Sequence, residues 1–81
     1  MRSTAWNTPL TIDDPATGLH RTVKTARQAK KLLHRNWPHT HGSRYHEAEQ
    51  ACDEVIHGQA PPRKARHALI AAAIEAHLHL S

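Results

Sequence analysis

The chain predicts an α+β domain: an N-terminal two-stranded antiparallel β-hairpin packed on three α-helices, with the C-terminal helix at the centre. Three observations carry this. Residues 6–12 and 19–23 alternate with period two on either side of a turn-forming run. Three later segments place apolar or small residues three and four apart. The last of them holds the longest apolar run, the seven residues from Ala68 to Ile74.

Trp6, Thr8, Leu10 and Ile12 share one side of the first strand, and Leu19, Arg21 and Val23 one side of the second. Asp13-Asp14-Pro15-Ala16-Thr17-Gly18 between them is rich in turn formers, so a hairpin is expected over about 6–24. Arg21 conflicts with a buried face; its stem can pack while its head reaches water at the sheet edge. Thr25-Ala26-Arg27-Gln28 fits a capping box, with the Thr25 hydroxyl accepting from the Gln28 amide and the Gln28 side chain reaching back to the Thr25 N–H. Ala26, Ala29, Leu32 and Leu33 continue at helical spacing. Pro38 disfavours helical geometry at Trp37, which sets the first helix at about 25–36 and leaves Trp37 to close the core.

Ser43 is expected to cap the second helix, about 43–57, whose apolar stripe is Tyr45, Ala48, Cys52, Val55 and Ile56. Gly58 supplies the left-handed conformation that ends it. Pro61-Pro62 opens the third helix, about 62–78, because proline suits a first helical turn. Its run Ala68-Leu69-Ile70-Ala71-Ala72-Ala73-Ile74 is apolar all round, which predicts enclosure by the rest of the molecule or by a second copy.

With 81 residues the chain is long enough for one domain, 1–81, and too short for two. Cys52 is the only cysteine, so no internal disulfide forms, which suits a reducing cytoplasmic compartment. Met1 to Ile12 lacks the continuous apolar core of a secretory signal. No apolar run approaches the roughly 20 residues that span a bilayer, so no membrane partner is expected.

The formal charge of +4 is unevenly spread. Between Leu19 and His46 stand Arg21, Lys24, Arg27, Lys30, Lys31, Arg35 and Arg44 with no acid; Glu47, Glu49, Asp53 and Glu54 follow. The plain reading is two solvated helix faces that partly pair. The functional reading is nucleic-acid binding: Lys24, Arg27, Lys30, Lys31 and Arg35 form a basic face on the first helix that can track phosphates. Against it, no aromatic residue is interleaved for base stacking, and the long proline-containing connection over 37–42 is unlike a helix-turn-helix.

Nine histidines are the compositional outlier. His39, His41 and His46 can offer three nitrogens to Zn²⁺. No cysteine partner or His-Glu-x-x-His helix supports them, and His77 and His79, two apart, point in different directions on a helix. Arg66, at the edge of the apolar helix, is expected to pair with Glu49, Asp53 or Glu54 and fix the angle between helices; the competing reading is an anion site. No Ser/His/Asp order, phosphate loop or paired inward carboxylates stand out, so neither catalytic residues nor a cofactor are expected. Cys52, on an apolar stripe, reads as packing.

Trp37-Pro38, Gly42, Tyr45, Ala48, Cys52, Gly58, Ala65-Arg66, Ala68 and Glu75-Ala76 together form a pattern that resembles the short bacterial proteins grouped as domain of unknown function 982. Trp6 and the strand Arg21-Thr22-Val23 extend the match over nearly the whole chain. The resemblance implies a hairpin followed by helices and brings no activity, cofactor or catalytic residue with it. The sequence is thus read as a small non-enzymatic interaction module with a protein partner or a homodimer of its own. A nucleic-acid-binding accessory protein is the alternative, and a His-rich metal binder a third, remote reading.

Overall fold

Five elements follow one another: β1 (Ala5–Asp13), β2 (His20–Thr25), α1 (Ala26–Arg35), α2 (Ser43–Ile56) and α3 (Pro62–Glu75). The computed structural model describes residues 5–13, 18–35, 37, 42–78 and 80. The hairpin and three helices are the α+β architecture expected.

β1 and β2 are antiparallel, pairing Leu10 with Val23, Thr11 with Thr22, Ile12 with Arg21 and Asp13 with His20, then Ala5 with Thr25. The stretch of β1 between Ala5 and Leu10 is longer than its counterpart on β2, so β1 bulges over residues 6–9. Pro9, which has no N–H to give a ladder, lies inside this bulge. The bulge also breaks the expected alternation: Trp6, Leu10 and Ile12 are buried but Thr8 is exposed. Leu19, expected beside Val23 on the inner face, is 66% exposed because it precedes the first paired residue of β2.

β2 runs into α1 without a loop. The Gln28 N–H donates to Thr25 Oγ1 at 3.1 Å, as a capping box requires. The return bond falls one residue earlier than expected: Gln28 Oε1 accepts from the Lys24 N–H at 2.8 Å. Ala26, Ala29, Leu32 and Leu33 bury the inner face of α1. One of its last carbonyls, that of Leu33, accepts from the Tyr45 hydroxyl at 2.9 Å. Trp37 is buried with its ring centre 6.4 Å from that of Tyr45, closing the core end as predicted.

The residue capping α2 is Gly42 rather than Ser43, and no side chain of its own sequence caps it. The Glu75 carboxylate stands there instead. A methyl group added to Gly42 would lie 2.5 Å from Glu75 Oε1, and the Arg44 N–H points at Glu75 Oε2 across a long 3.5 Å. A side chain at 42 would therefore displace the Glu75 carboxylate, and an acid from α3 faces the electropositive end of α2.

The two long helices end alike. After α2, Gly58 (φ 73°) donates to Val55 O at 3.0 Å and Gln59 to Glu54 O at 2.7 Å. After α3, His77 (φ 60°) donates to Ile74 O at 3.1 Å and Leu78 to Ala73 O at 2.9 Å. Both are Schellman turns. The second stops α3 at Glu75, short of the expected 78, and the chain turns back so that Leu80 bridges Ile12 on the outer edge of β1.

α3 packs on α2, β1 and α1. Ala65, Leu69, Ala72 and Ala73 form its buried face. The chain by itself does not enclose α3 all round: Ala68 and Ile70 are only partly buried and Ile74 is 63% exposed. Three neighbours cover one side of a helix, and α3 carries more apolar residues than that side needs.

Candidate functional site

Arg21, Thr22 and Val23 of β2 and Gln28, Lys31, Leu32 and Arg35 of α1 line an open groove of about 610 Å³. Successive strand residues point to opposite faces. A groove that touches three in a row therefore runs along the strand's edge. Among the described residues three cations line it and no acid does. Arg27 stands four residues before Lys31 and extends the same helical stripe. Among the described residues no ion pair engages Lys31 or Arg35.

The basic face foreseen from the sequence is thus divided. Lys31 and Arg35 line the groove, and Lys24 and Arg27 are exposed nearby. Lys30 leaves it: its ammonium meets Asp53 Oδ1 of α2 at 2.5 Å, because position 30 lies on the side of α1 that turns to α2. Arg21, which the nucleic-acid reading left out, takes its place. The signal for Arg21 was present in the strand alternation, which put it on the inner face beside the sheet edge.

The acids of α2 are engaged by neighbouring residues. Lys64 pairs with Glu54. His34 Nε2 lies 3.0 Å and His46 Nδ1 3.6 Å from the two oxygens of Glu49. The expected pairing of Arg66 with Glu49, Asp53 or Glu54 does not form among the described residues. Arg66 Nε donates instead to Thr8 O at 2.9 Å. The physical reason is the bulge, which turns the Thr8 carbonyl away from the ladder and leaves it for a strong donor. Arg66, Trp6, Thr8 and the Pro61-Pro62 start of α3 also border a smaller cleft of about 220 Å³, with Arg63 and His67 at its rim. The buried indole nitrogens of Trp6 and Trp37 have no hydrogen-bond partner among the described residues.

Of the candidate metal ligands, His39 and His41 lie outside the described residues. His46 is exposed, its ring edge-on to Tyr45 at 5.5 Å. Among the described residues no group of three His, Cys, Asp or Glu is placed to hold a metal ion. Cys52 is fully buried, and that burial, with the Asp53 carboxylate beside it, pushes its thiol up to about 12. A thiol so held stays protonated at neutral pH and is a poor nucleophile. Burial and the Glu49 carboxylate likewise raise the Tyr45 phenol above its ordinary range. Among the described residues no helix is long and apolar enough to cross a membrane.

A hairpin closed by three helices, with a cationic groove on one edge, defines a small α+β module. Residues 8–80 match the family described as "Protein of unknown function (DUF982)", and the chain belongs to that family. No curated protein and no solved structure matches it.

Proposed function

We propose that this protein is a non-enzymatic interaction module whose β2–α1 groove binds an acidic segment of another protein. One observation carries the reading: Arg21, Lys31 and Arg35 converge on a single groove that no acid lines among the described residues. Opposite charge steers such a partner in and suppresses the wrong ones. Its apolar floor, Val23 and Leu32, suits a polypeptide. All three aromatic residues, Trp6, Trp37 and Tyr45, are buried, so the groove offers bases no stacking surface, and Lys30 is drawn off to Asp53.

The experiment is a titration of a fluorescent glutamate-rich peptide near physiological salt, repeated with Lys31→Glu and Arg35→Glu. Both side chains are exposed, so folding should persist while affinity drops at least about tenfold. Equal binding by the charge-reversed protein, or tighter binding of a short DNA duplex than of the peptide, sinks the reading in favour of no groove or of nucleic acid.

Homodimerisation is a second reading, and the exposed Ile74 beside the partly buried Ile70 is what favours it. One exposed isoleucine is a small start toward the roughly 800 Å² per partner of a stable interface. Light scattering after size-exclusion chromatography decides it: a 9.1 kDa species at high concentration rejects the dimer.

A further inference from the structure

We infer that the acidic partner binds as a third strand of the sheet, its backbone paired with the outer edge of β2 and its carboxylates set against Arg21, Lys31 and Arg35. This rests on the groove reading above and names the conformation and chemistry of the occupant.

The direction of one amide supports the pairing. The Lys24 N–H gives its bond to Gln28 Oε1 of α1, so it points away from β1. Backbone groups alternate sides along an antiparallel strand. The N–H and C=O of Thr22 therefore face the same outer edge as the Lys24 N–H, in the middle of the three β2 residues that line the groove. Among the described residues the sheet has only the order β1-β2, and its one additional bridge, Ile12 with Leu80, lies on β1. The β2 edge thus presents backbone groups with no strand beside them among the described residues, the template that strand addition uses.

Charge selects the occupant. Antiparallel pairing of β2 with β2 of a second copy would bring Arg21, Lys24, Lys31 and Arg35 against the same cations, a like-charge clash. An acidic strand turns that repulsion into attraction. Side chains of the added strand alternate between faces, so acids at every second position would all turn toward α1. β2 spans 6 residues, which sets the length of the segment it can pair.

The test uses the intact protein and a short peptide alternating glutamate and valine. Three companions are compared: the same peptide with lysine for glutamate, the same peptide with alternate backbone nitrogens methylated, and a short DNA duplex. Strand addition predicts that the parent peptide binds and slows exchange of the Thr22 amide at least tenfold. It also predicts that the lysine peptide does not bind and that methylation on the pairing edge weakens binding at least tenfold. If the methylated peptide binds as well as its parent, strand addition is overturned while the acidic-partner reading stands. If only the duplex binds, both fall and the groove is a nucleic-acid surface. If nothing binds, both fall and the cations serve only to keep other strands off an exposed edge.

Discussion

The hairpin has two outer edges, and the chain handles them in opposite ways. Along β1, Leu80 bridges Ile12 and Arg66 takes the carbonyl that the bulge leaves at Thr8. Along β2, no strand follows among the described residues, and Arg21, Lys31 and Arg35 stand over a groove. Charge on an edge strand normally repels further strands. Charge of one sign repels only like strands and admits those of the opposite sign. The closed edge is part of what holds the hairpin to the helices; the open one is where the proposed partner strand would add.

The contrast predicts that substitutions behind the β1 edge damage stability and those of the exposed cations along the β2 groove do not. The largest effect belongs to Ile12→Ala. Ile12 is 1% exposed, and its truncation should cost about 3 kcal/mol, seen as a melting temperature lower by more than about 10 °C. A loss under 1 kcal/mol would mean that the bridged edge carries no more than the open one.

Alkali should then weaken the interior. The Cys52 thiol titrates near 9.0 when unfolded and at about 12 when folded. The folded chain therefore holds the proton more tightly. The associated stability is full below pH 9 and is lost as pH rises toward 12, by about 2 kcal/mol at about pH 10.5. Urea titrations of the natural protein and Cys52→Val should converge with rising pH; parallel curves refute the assignment.

Arg66→Met comes next. It leaves the Thr8 carbonyl without its charged donor and should cost about 1–2 kcal/mol by denaturant titration. An unchanged midpoint would show that solvent replaces that bond at no cost. His77→Gly should act in the other direction, adding about 0.5–1 kcal/mol, because glycine accepts φ 60° without the strain that His77 bears. Slower amide exchange at Ile12 should accompany it, since the same turn carries Leu80 to β1. The smallest effect is at the open edge: Lys31→Gln with Arg35→Gln should leave stability within about 0.5 kcal/mol. A larger loss would make those cations structural and remove the contrast.

Much of this fold was legible because the signals were local. The Thr25 half of the capping box, the proline start of α3 and the glycine stop at Gly58 each depend on a few neighbouring residues, and each appears where the sequence placed it; the Gln28 return bond shifts by one residue to Lys24. The misreadings concern partners distant in sequence. Ser43 looked like the cap of α2 because its hydroxyl sits at the right place in the chain; the acid that faces that end comes from Glu75, which no short window contains. Arg66 was assigned to the nearest carboxylates, but its partner is a carbonyl freed by a bulge that alternation alone does not reveal. The end of α3 was set too late because histidine at a left-handed position carries no sequence signal. Of the groove, Lys31 and Arg35 were legible as a helical stripe, whereas Arg21 joins them only once the strand is laid beside α1.

The acid at the start of α2 has a kinetic consequence. The first turn of α2 acquires its counter-charge only after α3 has formed and docked, since Gly42 precedes the first residue of α2 and Glu75 is the last residue of α3. An interaction completed that late should be absent from the rate-limiting assembly step. Removing it with Glu75→Gln would therefore speed unfolding and leave the refolding rate nearly unchanged. The carboxylate then acts as a latch, setting how long the native state persists and not how quickly it is reached.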